Sequence, residues 1–367
     1  MRIRFPRAIP SANAWRLRLW AMAAVALCVF TLEGLTPRLL SGIEEGVGDT
    51  LWRFAAASAQ ADAQERRLVV VDIDEASLAK LGPWPWPRER LAELARRLAA
   101  LGAGLQIYDV VLPDPRPGDA ALAAEFARNP VVLAQIFALD PETPAALGRP
   151  LGALKPGAPP CRAPLPQATG FIANAPAFAA VEGLTAGHIT PRVARDGAVR
   201  RLPALICFEG RAYPALGLAA LLKAAGVESE WTLAPGSTWL DPAWRLTHPA
   251  LPGIAVPLDG DGDIRLSYRL PRRAFVSMSA ADVLAGQVPP ELFRGAWVLI
   301  GATAFGIGDA VPTPHGGALG GVEVHAQFLA ALLDGRLPHT PLGAPWLRLL
   351  LGLAGAAALL AALRVRR

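Results

Sequence analysis

Two uncharged apolar runs near the ends of the 367-residue chain constrain its organisation more than any other feature. The first reads LWAMAAVALCVFTL at 19–32, and the second reads LLLGLAGAAALLAAL at 349–363. Flanking residues bring each run close to the roughly 20 residues that a membrane-spanning helix needs, so we predict transmembrane helices at 17–36 and 346–363. The alternatives are a cleaved signal peptide for the first run and a buried core helix for the second.

Basic residues are concentrated beside these two runs. Nine of the 36 Lys and Arg residues lie in 1–32 and 346–367, and neither segment contains an acidic residue. Positively charged flanks stay on the cytoplasmic side, which predicts a cytoplasmic N-terminus at 1–16 and a cytoplasmic end at 364–367. The body, 37–345, is then the periplasmic or extracellular domain of a multi-pass protein of the inner (cell) membrane. A nucleic-acid-binding protein would carry its excess positive charge on the folded body, so no nucleic-acid partner is expected.

The body is predicted to have an α/β fold, because continuous apolar strand patterns alternate with helical patterns. The predicted strands include 68–74, 105–112, 131–137, 201–208 and 297–302, and the predicted helices include 88–101, 120–128, 214–225 and 322–333. We expect a mainly parallel or mixed sheet with flanking helices, bracketed by the two transmembrane helices. An amphipathic helix is predicted at 37–60, whereas 138–168 reads as an irregular excursion and 227–262 has no clear assignment.

Acidic residues stand where two of the predicted strands end. Asp72 and Asp74 close the first strand, and Asp109 lies near the end of the second. Ligands of open parallel sheets bind at the carboxyl ends of the strands, so these carboxylates are candidates for holding a cation. The other interpretation, which we favour, is ordinary turn chemistry, in which Asp74 with Ser77 caps the following helix.

The segment GPWPWPR at 82–88 is unusually rigid and aromatic. Its prolines restrict the backbone, while Trp84 and Trp86 offer large flat surfaces. Arg88 follows at the start of a predicted helix. These three residues either form an aromatic wall of a ligand site or pack beneath the sheet.

Residues 301–321 are rich in glycine and follow a predicted strand. The stretch has no lysine and neither glycine pattern of the nucleotide-binding loops, so no cofactor is expected. Asp309, Glu323 and His325 have side chains that can coordinate metals, but their spacing is not diagnostic, and the sequence leaves a metal site open. A hydrogen-bonded structural role for the histidine is the other interpretation.

Cys161 and Cys207 both lie in the predicted extracytoplasmic body, where a disulfide can persist. The sequence leaves open whether their Cα atoms come within bonding range.

Three groups of segments together resemble one known family. VVVDIDEASLAKLGPWPWPRERLAELARRLAALGAGLQIYDVVL at 69–112 resembles the opening of the type-two CHASE domain, an extracellular sensor, and GHITPRVARDGAVRRLPALI at 187–206 is similar to its middle motif. The segments at 297–314 and 320–335 resemble its closing motifs. The resemblance implies a sensor outside the membrane that is coupled to cyclase, histidine kinase or protein kinase modules. Members commonly have several membrane helices after the domain, so this chain is expected to be a truncated form or to signal through a partner.

Two functions of different class follow. The first is a membrane-anchored sensor that is not an enzyme and that passes a small-molecule or protein signal to a cyclase, a kinase or another partner. The second is an extracytoplasmic metal-dependent enzyme using Asp72, Asp74, Asp109 and Asp309. Small residues at Ala354, Ala358 and Ala362 favour close helix packing, so the partner is expected to be a second copy of the chain or a separate signalling protein.

Overall fold

A computed structural model describes residues 20, 23, 37–58, 64–140, 146–156, 159–227, 230–307, 310–314 and 317–365. These residues belong to two compact units. The first unit draws on the segments up to Gly48, Ser237–Asp241 and the segment from Pro341 onward. The second unit comprises Asp49–Gly236 and Pro242–Thr340, and it contains the sheets and most of the helices.

The described residues form nine α-helices and eighteen strands. The helices are α1 (Pro37–Ser58), α2 (Glu75–Leu81), α3 (Arg88–Ala100), α4 (Asp119–Arg128), α5 (Pro176–Ala179), α6 (Leu216–Ala225), α7 (Ala280–Leu284), α8 (Gly321–Leu333) and α9 (Ala344–Val365). The strands are β1 (Glu65–Ile73), β2 (Leu105–Tyr108), β3 (Val131–Ala138), β4 (Ala146–Leu147), β5 (Gly170–Ile172), β6 (Thr185–His188), β7 (Arg192–Val193), β8 (Val199–Pro203), β9 (Leu205–Phe208), β10 (Arg211–Pro214), β11 (Thr232–Pro235), β12 (Trp244–Thr247), β13 (Ala255–Leu258), β14 (Asp263–Arg265), β15 (Phe275–Ser279), β16 (Trp297–Ala302), β17 (Ala310–Thr313) and β18 (Gly317–Gly320).

The central sheet has the strand order β15-β1-β16-β2-β3-β5-β4, and β6 also pairs with β3. The pairs β15–β1, β1–β16, β16–β2 and β2–β3 are parallel, as is the pair β6–β3, whereas β5 runs antiparallel to β3. The prediction that the strands near 68–74, 105–112 and 297–302 share one mainly parallel sheet is therefore confirmed. The α/β fold class with a mixed sheet and flanking helices is confirmed with it.

The continuous apolar strands are explained by helices on both faces of the sheet. Alternate residues of β1 face opposite ways: Val69 and Val71 pack with α3 and α4 on one face, and Leu68 and Val70 pack with α6 and α8 on the other. On α3 the apolar stripe of Leu91, Leu94 and Leu98 is buried, as its helical spacing predicts.

Some predicted strand limits are wrong. The strand predicted over 105–112 ends at Tyr108, because the chain then turns to meet Asn174, whose Oδ1 accepts a hydrogen bond from the Leu112 N–H (3.0 Å). The single strand predicted at 201–208 is two strands, which pair with different partners, β14 and β10. Residues 227–262, left unassigned, contain the antiparallel sheet β11-β12-β13.

The amphipathic helix predicted at 37–60 is observed as α1, but its apolar stripe does not pack inward. Val47, Leu51 and Phe54 are 58%, 64% and 69% exposed. The opposite side of the helix carries Trp52, which packs against a second hydrophobic core built around β8, β9 and α8. It also carries Asp49, whose carboxylate accepts two hydrogen bonds from Arg200 (2.6 and 3.0 Å).

The structure describes one of the two predicted membrane segments and only two residues of the other. Apart from Trp20 and Ala23, the segment 17–36 lies outside the described residues, and 346–363 falls within α9. Among the helices that the structure describes, none is both long enough and apolar enough to cross a membrane.

Candidate ligand-binding pocket

The strand order decides which acidic side chains can meet. Asp72 and Asp74 lie at the carboxyl end of β1, and Asp109 directly follows β2. Strand β16 lies between β1 and β2, so the two ends are separated by two strand spacings, or roughly 10 Å. The carboxylates therefore do not form the joint cation site that the sequence suggested.

Asp72 ties the end of β1 to the loop after β16. Its carboxylate accepts hydrogen bonds from the Thr303 N–H (3.1 Å) and the Thr303 hydroxyl (2.5 Å). Burial raises the pKa of Asp72, and the nearby Asp74 adds to this rise, while the hydrogen bonds from Thr303 oppose it. Through these contacts, the Asp72 side chain joins the end of β1 to the segment that follows β16.

Asp74 and Ser77 form the helix cap that we favoured. Asp74 is the N-cap of α2 and accepts a hydrogen bond from the Ser77 N–H (2.8 Å). The Ser279 hydroxyl on β15 also donates to Asp74 (2.8 Å), and the Ser77 hydroxyl lies 2.8 Å from the Ser279 hydroxyl. Burial acts to raise the pKa of Asp74, but the hydrogen bonds from Ser77 and Ser279 outweigh it, and the pKa is lowered.

Trp86 and Arg88 are packing residues rather than a ligand wall. Trp86 is fully buried, and its indole N–H donates to the Gly82 carbonyl (3.0 Å). Arg88 is also buried, and its guanidinium donates to the Asp119 carboxylate (2.8 Å) and lies over the ring of Phe178 (5.9 Å to the ring centre). The arginine thus connects the start of α3 to α4 and α5.

Trp84 has a different position, because it lines a cavity of about 320 Å³ in the second unit. Its ring meets that of Trp86 edge to face, with centres 5.6 Å apart. Most of the described lining is apolar, and it comes from the strand ends of the central sheet, from β8 and from α8. The lining includes the side chains of Trp84, Asp109, Ile136, Ile189, Leu202 and His325.

Asp109 and His325 are the two titratable side chains among the described residues of the lining. His325 Nε2 lies 3.8 Å from an Asp109 carboxylate oxygen, and both side chains are about nine-tenths buried. Within the described residues, His325 Nδ1 is buried without a hydrogen-bond partner. A buried unsatisfied polar atom costs about 1–3 kcal/mol, so it calls for an explanation.

A second buried histidine lies close to this pair. His188 ends β6, is fully buried, and has no hydrogen-bond partner for either ring nitrogen among the described residues. Burial lowers the pKa of His188 to about 3, and the charges of His325 and Arg192 contribute to the same effect. His188 is not among the candidate residues that the motifs indicate, although a histidine inside a short predicted strand is a signal that points to it.

Glu323 and His325 do not form part of a metal-ligating group within the described residues. Asp309 lies outside the described residues. Glu323 faces away from the pocket lining: its carboxylate accepts hydrogen bonds from Arg272 (2.5 Å) and from the Gly320 N–H (3.0 Å) at the start of α8. His325 therefore pairs with Asp109 and not with Glu323, because the two side chains leave different sides of the helix.

Metal-ligating side chains are dispersed in the described part of the chain. No group of three or more His, Cys, Asp or Glu side chains within it could hold a metal ion. The described contacts of Asp72 and Asp74 are the structural ones given above, which offers no support for the metal-dependent enzyme.

Cys161 and Cys207 are joined by a disulfide, with their Cα atoms 5.7 Å apart. Cys207 lies on β9 in the second core, and its backbone also pairs with the segment that follows Cys161, where the Cys207 N–H donates to the Pro166 carbonyl (2.9 Å). The bond thus fixes the irregular excursion to the core of the second unit.

Comparison with known proteins supports the resemblance seen in the motifs. The family model of the CHASE2 domain matches residues 22–363, which is nearly the whole chain. No curated protein and no solved structure matches the chain. CHASE2 domains are extracellular sensory domains rather than catalytic ones. The chain therefore belongs to the CHASE2 domain family.

Proposed function

We propose that this chain is a membrane-anchored extracytoplasmic sensor that binds a small molecule in the pocket beside Asp109 and His325. Binding changes the conformation of the second unit, and the membrane segments at 17–36 and 346–363 pass the change to a cyclase, a kinase or a separate partner. A ligand drives such a change only through different affinities for two conformations.

The pocket is the observation that carries this proposal. It is mostly apolar, it lies at the carboxyl ends of β2 and β16, and its polar groups converge at one place, as in ordinary small-molecule sites. His325 Nδ1 has no described partner, and a ligand can supply one.

Membrane anchoring is supported by the aromatic residues of the first unit. The loop Ser237–Asp241 is held at the start of α9, where the Gly343 N–H donates to the Trp239 carbonyl (2.8 Å). Trp239, Leu240 and Trp346 are all more than half exposed. Tryptophan is enriched at membrane–water interfaces, so we propose that this end of α9 lies at the outer interface of the bilayer.

An extracytoplasmic location is supported by the bond between Cys161 and Cys207. Structural disulfides persist in oxidising compartments and are rare in the cytosol. The basic residues that flank the two apolar runs also support an extracytoplasmic location for the body of the chain.

We further propose that the partner includes a second copy of the chain. The exposed apolar residues of α1, Val47, Leu51 and Phe54, are spaced by four and three residues. This is the spacing of a two-helix seam, and the small residues at Ala354, Ala358 and Ala362 offer a second helix-packing face.

Cysteine labelling in intact cells tests the location. In a Cys28→Ala background, Leu147→Cys places a thiol on an exposed strand of the second unit, and Ser11→Cys places one in the basic N-terminus. A membrane-impermeant maleimide is expected to label the first variant in intact cells and the second only after permeabilisation. Labelling of Leu147→Cys only in permeabilised cells would refute the proposal.

A further inference from the structure

The pocket also indicates what class of molecule it binds, and this inference rests on the proposed sensory function. We propose that the ligand is an uncharged, largely apolar small molecule, and that the pocket discriminates against organic cations and anions of the same shape.

The composition of the lining is the first observation that supports an uncharged ligand. Apart from Asp109 and His325, every described residue that lines the cavity is apolar or a glycine. Ile136 lies on β3, Ile189 follows β6, and Leu202 lies on β8, so apolar surface comes from separate parts of the fold. Binding an apolar group here removes apolar area of both partners from water, which favours such ligands.

The polar edge of the pocket supports the same class for a separate reason. The Asp109 carboxylate and His325 Nε2 lie 3.8 Å apart, and Asp109 takes part in a further interaction within the domain. These groups are therefore engaged in the fold and are not held in reserve for a charge on the ligand. A ligand ion would compete with their contacts while it loses its own hydration in an apolar cavity.

An anionic ligand meets an additional obstacle. Among the described lining residues there is no lysine or arginine, which are the side chains that usually bind carboxylate and phosphate groups. An uncharged hydroxyl group, by contrast, both donates and accepts a hydrogen bond. It can therefore pair with a carboxylate or with an imidazole nitrogen, whether or not that nitrogen carries a proton.

The cavity also sets the size and shape of the molecule. About 320 Å³ is at the lower end of ligand pockets and corresponds to roughly ten non-hydrogen atoms. Trp84 provides a flat aromatic wall, and its edge-to-face contact with Trp86 holds it in place (5.6 Å between ring centres). Aromatic rings pack favourably against one another, so an aromatic alcohol of this size is a suitable probe.

Three probes with the same aromatic ring and different charge test the inference on the full chain in lipid nanodiscs at neutral pH. Isothermal titration compares 2-phenylethanol, 2-phenylethylamine and phenylacetate, with binding to empty nanodiscs subtracted. The alcohol is expected to bind about tenfold or more tightly than either ion, because the lining does not replace the hydration that the ions lose. This ranking on the wild-type protein does not depend on any variant folding.

Cavity-filling variants then locate the binding. Ala302 lines the cavity from the end of β16, so Ala302→Leu reduces the space and should weaken binding of 2-phenylethanol about tenfold or more. Val311→Phe fills the cavity from β17 and is a second, independent variant with the same expected result. Ala124→Leu, at an exposed position of α4, is the control and should leave binding unchanged.

Tightest binding of 2-phenylethylamine or phenylacetate, or equal binding of the three probes, would overturn the uncharged class while leaving a ligand pocket in place. The inference would also be overturned if none of the probes binds, or if both cavity-filling variants bind 2-phenylethanol as the wild type does. The labelling experiment above decides the location independently of all these titrations.

Discussion

Arg88 shows how a buried charge is accommodated in this domain. Its side chain is 3% exposed, and its guanidinium donates to the Asp119 carboxylate and to the Asp114 carbonyl (2.8 and 3.1 Å). These contacts connect the start of α3 with the loop that precedes α4. The residue follows two tryptophans in a motif that could have formed a ligand wall, but its described partners are structural.

Replacing Arg88 should therefore affect stability. Arg88→Met leaves Asp119 buried without its ion-pair partner, and we expect a loss of about 3–5 kcal/mol in the free energy of unfolding. Urea titration of the full chain in detergent, followed by tryptophan fluorescence, measures the loss. The double variant Arg88→Met/Asp119→Leu should recover part of it, because no unpaired carboxylate remains. A loss below about 1 kcal/mol in the single variant would contradict the structural role.

His188 differs from Arg88, because it is buried and neither of its ring nitrogens has a partner among the described residues. Its pKa in the folded protein, lowered by burial to about 3, lies below the ordinary value of 6.5. Between these values the unfolded chain binds a proton that the folded chain does not. Stability is therefore fully retained above pH 6.5 and falls as the pH drops through this window.

Replacing the histidine should remove this acid sensitivity. We expect His188→Leu to lose less stability than the wild type between pH 7 and pH 4.5, with a difference of about 3 kcal/mol. Urea titrations at the two pH values measure it. Burial raises the pKa of Asp263 to about 6 in spite of the opposing Arg192, which gives the opposite pH dependence, so the comparison between variants is the decisive quantity. Equal acid sensitivity of both proteins would show that His188 is not buried and neutral.

At the scale of elements, the packing of α8 on β16 depends on the absence of a side chain at Gly301. A Cβ atom at this position would lie 2.6 Å from Val322 Cβ, which is far inside normal contact. Gly301→Ala is therefore expected to destabilise the fold by about 1–3 kcal/mol, as overpacking does. Gly301→Ala/Val322→Gly, which removes the Val322 Cβ atom, should be less destabilised than the sum of the two single variants, as measured by urea titration. Additive losses would contradict the direct contact.

Helix α1 makes a second prediction at this scale. If its exposed stripe is a seam between two copies, Leu51→Ser/Phe54→Ser should weaken dimerisation about tenfold or more, because two large apolar side chains are removed from the seam. Sedimentation equilibrium of the full chain in density-matched detergent measures the monomer–dimer balance. Arg53→Ala, an exposed change on the same helix, is the control and should leave the balance unchanged. A wild-type chain that stays monomeric at all concentrations would refute the seam.

At the scale of the whole molecule, the proposed function makes the connection between α8 and α9 the route by which a signal leaves the domain. Pro338 and Pro341 lie in it, and prolines stiffen a linker. We expect a flexible Gly/Ser insertion after Gly335 to abolish the ligand-dependent output of a chimera that carries a histidine kinase module after residue 367.

The same insertion should leave ligand binding in the pocket intact, as measured by titration. An equal insertion after Gly210, in the exposed turn between β9 and β10, is the control and should preserve both output and binding. Unchanged output after the Gly335 insertion would mean that the segment only tethers the domain.

Local chemistry accounts for what could be predicted about single residues. The helix cap formed by Asp74 and Ser77 lies within four residues, so its geometry is available from sequence. The contact between Asp109 and His325 joins the end of β2 to α8, and nothing near either residue in the chain indicates the other. Trp84 lies at the pocket and Trp86 lies in the core. The Trp-Pro repeat at 84–87 does not distinguish the two tryptophans, so the sequence could not predict this difference.

The sequence by itself determined the alternation of helices and strands, the parallel character of the sheet and the family, because continuous apolar runs and short motifs are local properties. Only the tertiary structure decided the order of the strands, since that order depends on how both faces of the sheet are covered by helices far apart in the chain. By placing β16 between β1 and β2, it separated Asp72 and Asp74 from Asp109 and brought Asp109 to His325 instead. The pocket exists because that order aligns distant strand ends with one face of α8.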